Sequence, residues 1–188
     1  PRIPTVFLNK DDLHHKKIHE IFEELGKPVV IKAPYTSFSR YVEKAACETS
    51  FRDIAKRFFK KSDVLAIQKF TPTGFDWRVG VLNNDVLYVC KYMIPKGKWK
   101  HGAKLRGKPT IVWGRTVSSE KRDMPARLRE VALKACSVAG KGLYGVDIKE
   151  VNGEYVVVEI NDNPSIYAGY EDSKDKDIYQ RIIDYLSY

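Results

Sequence analysis

The segment Leu143-Tyr-Gly-Val-Asp-Ile-Lys-Glu-Val-Asn-Gly-Glu-Tyr-Val-Val-Val-Glu-Ile-Asn-Asp-Asn-Pro-Ser165 decides the fold. Two β-rich runs flank Asn152-Gly153, a dipeptide that favours tight reversal, so the segment reads as a β-hairpin. The apolar pattern sets the expected register. Val146 and Ile148 on the first strand, and Val156, Val158 and Ile160 on the second, should share one face. A two-residue loop would pair Asp147 with Val158 and split that set. A three-residue loop, with Gly153 left-handed in a bulged turn, keeps it together. The opposite face then carries Asp147, Lys149, Tyr155, Glu159 and Asn161. Two carboxylates and an amide are oxygen donors suited to a hard cation such as Mg²⁺, whose shell substrate phosphates and water complete. The alternative is a solvated strand face whose acids pair with Lys149 and its neighbours. The abrupt ending Glu-Ile-Asn-Asp-Asn-Pro favours the metal, because these residues leave a sheet and hold polar groups at its end.

The remainder of the chain bounds the answer. With 188 residues and 43% hydrophobic content it can bury a core without disulfides. No apolar run approaches the roughly 20 residues of a membrane helix. No signal-peptide pattern is present, so a cytoplasmic location is expected. Pro1 stands where an initiating Met would be, and reads as an internal boundary of a longer protein. Cys47, Cys90 and Cys136 are widely spaced and flanked by apolar residues; buried reduced thiols are expected rather than a Cys-metal site. The net charge of +9 is spread along the chain. That spread disfavours a nucleic-acid module and suits nucleotide phosphates or an anionic substrate.

Read in order, Asp11 to Leu25 is a helix with Leu13, Ile18, Ile21, Phe22 and Leu25 on one stripe, ended by Gly26. His14, His15 and His19 lie on or near one face and read as solvated helix residues. Pro28 to Lys32 is a buried strand ending in a lysine. Ser50-Phe-Arg-Asp53 reads as a capping box opening a helix through Lys60. Val64 to Phe70 is the next strand. Phe75 to Leu82 and Asp85 to Tyr92 form a second hairpin about Asn83-Asn84. Asp76 and Arg78, two apart, share a face. Pro95 to Pro109 is basic, with Lys96, Lys98, Lys100, His101, Lys104, Arg106 and Lys108; Trp99 and Trp113 nearby default to core packing. Ile111 to Val117 is a strand. Pro125 opens a helix with a stripe of Leu128, Val131, Ala132, Ala135 and Cys136, ended by Gly140 or Gly142. Ile166 to Asp172 should be a loop over the site, and Asp175 to Leu186 a closing helix.

The segment Gly145-Val-Asp-Ile148 with Val158-Glu-Ile-Asn-Asp-Asn-Pro-Ser165 resembles the metal-binding hairpin of ATP-grasp ligases, in particular the RimK-type carboxylate–amine ligases and bacterial glutathione synthetases. The resemblance implies an α+β fold of two lobes with antiparallel sheets gripping a nucleotide: a smaller lobe over about residues 5–70 and a larger one over 71–188. The usual N-terminal domain is not seen in this sequence. The resemblance implies Asp147, Glu159 and Asn161 on Mg²⁺, with Mn²⁺ able to substitute. It places Lys32 on the ATP phosphates, Gln68 to Phe70 (Gln68, Lys69, Phe70) at the adenine edge, and Asp76 near the ribose or a basic neighbour. Arg78 and Lys100 would neutralise the transferring phosphoryl group. The implied reaction is ATP-dependent ligation of a small-molecule or peptide carboxylate to an amine, through an acylphosphate, with the basic stretch hinting at an acidic partner. A homo-oligomer is compatible with this reading. Two departures stand out. Residues 33–41 contain no glycine where the family usually has several, leaving Ser37, Ser39 and Arg40 to meet phosphate. The family's Arg-Xaa-Asn is not kept near Lys100-His101-Gly102. These departures keep open a second reading, a catalytically impaired nucleotide- or nucleic-acid-binding module.

Overall fold

The computed structural model describes residues 1–34, 41–104 and 111–187. Ser37, Ser39, Arg40, Arg106 and Lys108 lie outside the described residues, as does the side chain of Lys104. The chain divides into two compact units, residues 3–72 and residues 73–188 together with Pro1–Arg2.

The N-terminal unit contains β1 (Thr5–Asn9), α1 (His15–Leu25), β2 (Val29–Lys32), β3 (Val42–Ala45), α2 (Glu48–Phe58) and β4 (Val64–Lys69). Its antiparallel sheet runs in the order β1-β4-β2-β3. Both helices bury one stripe against it: Ile18, Ile21, Phe22 and Leu25 from α1, and Phe51, Ile54, Ala55 and Phe58 from α2. This is the i, i+3, i+4, i+7 spacing of an amphipathic helix. Gly26, at φ +80°, ends α1 in a conformation that a side chain would strain.

The helix boundaries depart from expectation for local reasons. A 3₁₀ turn at Lys10–Asp12 occupies the first residues expected in α1, which begins only after the cap residue His14. The start of α2 is Cys47, not Ser50. The Cys47 N–H donates to Ser50 Oγ at 3.3 Å, and the Cys47 and Ser50 side chains meet at 3.4 Å, so Ser50 is the N3 partner of the box. Cys47 is consequently exposed, contrary to the expectation for all three thiols; Cys90 and Cys136 are buried.

The C-terminal unit contains β5 (Phe75–Leu82), β6 (Asp85–Met93), β7 (Gly102–Lys104), β8 (Ile111–Trp113), β9 (Thr116–Ser119), α3 (Ala126–Ala139), β10 (Leu143–Val151), β11 (Glu154–Asn161) and α4 (Ile178–Leu186). Its main sheet is antiparallel in the order β11-β10-β5-β6-β9, with β7 and β8 a separate pair. Helix α3 buries Leu128, Val131, Ala132 and Cys136 against Val79, Val81, Val146 and Ile148. Helix α4 begins three residues later than expected and covers one end of the opposite face, Ile178 packing with Leu82, Leu87, Tyr88 and Cys90. The single strand expected over 111–117 is two, broken at Gly114-Arg115. Gly114 is obligatory there: a Cβ would stand 1.6 Å from the Met93 carbonyl oxygen. Trp113 is 55% exposed rather than a core residue.

The hairpin register corrects one expectation. Val151 pairs with Glu154, so the turn has two residues, with Asn152 (φ +52°) and Gly153 (φ +80°) both left-handed. The extra residue enters further along: Asp147 pairs with Glu159 but Ile148 with Val157, leaving Val158 as a bulge. The expected pairing of Asp147 with Glu159 therefore holds at the polar end, while the turn end obeys the other parity. Tyr155, expected on the polar face, is buried in the core with Val157 partly buried beside it, and Val156 takes the polar face opposite Lys149.

Leu128→Ala should lower the unfolding free energy of the C-terminal unit by about 2–5 kcal/mol, since it is wholly buried under the sheet. Val138→Ala, 88% exposed on the same helix, should stay within about 0.5 kcal/mol. Urea titration of both variants checks the difference.

Candidate active site

Three strands lay a polar array on the face of the C-terminal sheet opposite α3. In register, Arg78 stands opposite Asp147 across β5 and β10, and Asp147 opposite Glu159 across β10 and β11. Arg78 grips Asp147 with two parallel bonds, Nε to Oδ1 at 2.5 Å and Nη2 to Oδ2 at 2.9 Å. Their side chains are only 12% and 16% exposed. This fork-on-carboxylate geometry is the strong form of an ion pair. Two residues away, Lys149 donates to Asp76 at 2.5 Å and to Thr73 Oγ1 at 2.7 Å. Asp76 thus pairs with a basic neighbour on β10, and Asp76 and Arg78 take separate partners.

Glycines make room for this array. A Cβ on Gly145 would stand 3.0 Å from Arg78 Nη1 and 2.7 Å from Pro164 Cβ. One on Gly80 would stand 2.2 Å from the Tyr88 ring. Arg78 therefore lies across a strand position that must carry no side chain. Asn161 pairs with Gly145 in register and donates Nδ2–H to its carbonyl oxygen at 3.2 Å, which leaves Oδ1 as the atom suited to a cation.

The electrostatics follow from burial and neighbours. Burial pushes the Asp147 carboxyl up to about 6; the Arg78 guanidinium opposes that rise and the Glu159 charge adds to it. Burial is the largest single influence on Arg78 and works against its charge, but Asp147 together with Tyr92 and Tyr88 holds the guanidinium above its ordinary value. Burial also lowers His101, which favours the neutral imidazole.

Among the described residues no group of three His, Cys, Asp or Glu side chains stands ready to hold a metal. The donor set here is two carboxylates and an amide, with Glu159 exposed. It fits Mg²⁺ in the one mode such a set permits, with further oxygens coming from phosphate and water. A carboxylate has lone pairs enough to accept Arg78 and still face a cation.

The other expected residues are carried by other segments of the chain. Lys100 sits over Trp99, 5.3 Å from the ring centre, in the segment before β7. Lys32, Gln68, Lys69 and Phe70 belong to the N-terminal unit. Lys32 pairs with Ala66, and Val30 with Gln68, so Lys32 and Gln68 share the sheet face away from the helices. Gln68 Nε2 donates to Thr5 Oγ1 at 3.2 Å, and the Lys69 N–H to the Pro4 carbonyl at 3.0 Å. Phe70 carries the Lys44 ammonium 4.5 Å from its ring centre.

The contacts of Lys44 with Phe70, and of Tyr92 with Arg78 and Glu171, were not legible in the sequence. Lys44 lies on β3, a strand of four residues with no alternating apolar run to announce it. Tyr92 and Glu171 meet only through tertiary packing, 79 residues apart in sequence.

The sequence model of the RimK-like ATP-grasp domain matches residues 2–186. The chain belongs to that family. Among curated relatives of this RimK-like domain is a probable alpha-L-glutamate ligase of Saccharophagus degradans, 26% identical over 185 residues, covering 97% of the chain and 56% of the relative. Another, from Vibrio parahaemolyticus, is 26% identical over 176 residues, covering 92% and 55%. The chain thus spans about half the length of the curated relatives it matches. Its fold is that of D-alanine–D-alanine ligase from Bacillus anthracis, with a TM-score of 0.76 at 15% identity over 99% of this chain and 60% of that one. The ATP-grasp ligase PsnB, solved with a precursor variant, Mg and ADP, superposes with a TM-score of 0.67 at 16% identity, covering 100% and 53%. The expected α+β ATP-grasp architecture is therefore borne out. No helix among the described residues is long and apolar enough to cross a membrane.

Gly145→Ala should cost about 1–3 kcal/mol, by forcing Arg78 or Pro164 aside in a packed site. Gly74→Ala, with no heavy atom within 4 Å of the new Cβ, should be near neutral. Paired denaturation curves decide.

Proposed function

We propose that this domain is the catalytic part of an ATP- and Mg²⁺-dependent carboxylate–amine ligase. The observation that carries the reading is the polar array of Arg78, Asp147, Glu159 and Asn161, held on strands over a packed core. Asp147, Glu159 and Asn161 would hold the cation, which draws off charge from the phosphate oxygens when bound. Lys32 would meet the nucleotide phosphates, and Gln68, Lys69 and Phe70 the base.

In the reaction, a carboxylate oxygen of one substrate attacks the γ-phosphorus and ADP leaves, giving an acylphosphate. The amine of the second substrate then attacks the acyl carbon, inorganic phosphate leaves, and the nitrogen gives up a proton as the amide forms. Such chemistry asks the protein for position and charge neutralisation more than for a nucleophile. Arg78 is the group suited to the oxygens of the acylphosphate: Asp147 takes its Nε–H and one Nη2–H, and a guanidinium carries further N–H donors that can meet phosphate. Lys100 would add a second positive charge and, with the basic residues around it, favour an acidic carboxylate or amine substrate. The names of the relatives, glutamate ligases, agree with such an acid.

The alternative, an impaired nucleotide- or nucleic-acid-binding module, is favoured by the absence of glycine from residues 33–41. Calorimetry separates the two. Under the ligase reading ADP binds in a magnesium-dependent way, and Glu159→Gln weakens that binding by about 10–100-fold. Phosphate release in the presence of amino-acid pairs should fall at least as far. Nucleotide binding that Glu159→Gln leaves intact, or RNA binding that it strengthens, would sink the ligase reading. The acidic-substrate assignment has its own check: Lys100→Ala should raise KM for an acidic substrate about 10-fold, roughly the value of one charged contact, and an unchanged KM refutes it.

A further inference from the structure

Glu171 is a carboxylate with 3% of its surface exposed and, among the described residues, no ion-pair partner. Its oxygens are satisfied by neutral donors, the Tyr92 hydroxyl at 2.6 Å and the Tyr167 backbone N–H at 2.8 Å. A buried carboxylate held only by neutral groups is costly unless positive charge reaches it. That charge is one aromatic ring away: the Arg78 guanidinium stands over the Tyr92 ring, 5.0 Å from its centre. The His101 imidazole also stacks on this ring, with centres 4.5 Å apart and planes at 17°. His101 is fixed in turn, its Nδ1 lying 3.0 Å from the Met93 carbonyl oxygen, to which it must donate. Tyr92 is therefore clamped at its hydroxyl and at its face. Arg78 is oriented twice, by the carboxylate plane of Asp147 and by the ring plane of Tyr92.

We propose that Glu171 is a positioning residue for Arg78, acting through Tyr92. The segment after Pro164 is then part of the site rather than a covering loop. Held this way, the guanidinium keeps its plane when Asp147 turns to a cation, because the ring contact and the Glu171 charge behind it persist. The catalytic consequence rests on the ligase reading; the orientation of Arg78 does not.

Two variants isolate the relay. Tyr92→Phe keeps the ring, its stack with His101 and its contact with Arg78, and removes only the hydroxyl. Glu171→Gln removes the charge at constant size. The first readout is exchange of the Arg78 Nε proton with water, followed by nitrogen-15 NMR on the whole chain and assigned by its disappearance in Arg78→Lys. Both variants should speed this exchange by about 10-fold, as bonds loosen locally. The double variant should be no faster than the singles, since members of one relay do not add. The Nε proton of Arg52, bonded to Glu48 at 2.8 Å in the N-terminal unit, should not change. The second readout is phosphate release, where both variants should lower kcat about 10-fold and leave KM for ATP within about twofold, a loss of transition-state contact alone.

Unchanged Arg78 exchange in Tyr92→Phe overturns the proposal, and shows that Glu171 merely pins its own loop. Additive effects of the two variants overturn it as well, as does a rise in KM for ATP in place of a fall in kcat. If the wild type releases no phosphate with any acceptor, the ligase reading fails and the exchange measurement still decides the relay. Should Glu171→Gln not fold, Tyr92→Phe decides alone.

Discussion

The bidentate pair between Arg78 and Asp147 is the interaction on which the C-terminal unit turns. It joins β5 to β10, central strands of the sheet, at a nearly buried position. Buried ion pairs add little net stability, but losing one partner strands a charge. The second pair, Asp76 with Lys149, makes the arrangement a register code. Each strand carries one acid and one base two residues apart. A slip of two residues in either direction would set Arg78 against Lys149 or Asp76 against Asp147. Like charges facing across strands are unfavourable, so both the apolar face and the polar face reject neighbouring registers.

The same strands thus serve two requirements through their two faces. Val79, Val81, Val146 and Ile148 bury themselves under α3, which fixes the backbone. The opposite side chains are then held on strands over a packed core, without the mobility of loop residues. Gly80 and Gly145 contribute by what they lack, leaving space for the Tyr88 ring and the Arg78 side chain.

Much of this was legible in the chain. Asn152-Gly153 and Asn83-Asn84 announced both hairpins, and the stripes of α1 and α3 were visible as spacing. Asp147, Glu159 and Asn161 emerged on one face because apolar burial fixes strand parity at the site end. Other features were not legible, for physical reasons. β3 and β7, of four and three residues, are too short to show alternation. The capping role of Cys47 was hidden because a thiol is an unusual cap. Tyr155 was misplaced because the bulge lies inside β11 rather than at the turn. The Glu171–Tyr92–Arg78 contact has no local signature at all, since three-dimensional packing alone brings its members together.

The bulge at Val158 has a consequence for how β11 tolerates change. It acts as a phase inverter. Upstream of it, at Tyr155 and Val157, odd-numbered positions point into the core; downstream, at Glu159 and Asn161, they point to the polar array. Variation along this strand must therefore be read in two frames that meet at one residue. Val158 is the spacer between them, and its loss would be absorbed: Val157 and Glu159 would become neighbours, still opposite Ile148 and Asp147 and each on its own face. A strand that instead took Val158 into the regular pleat would turn Glu159 and Asn161 inward and Ile160 outward. It would exchange a polar surface for a greasy one while every residue kept its identity.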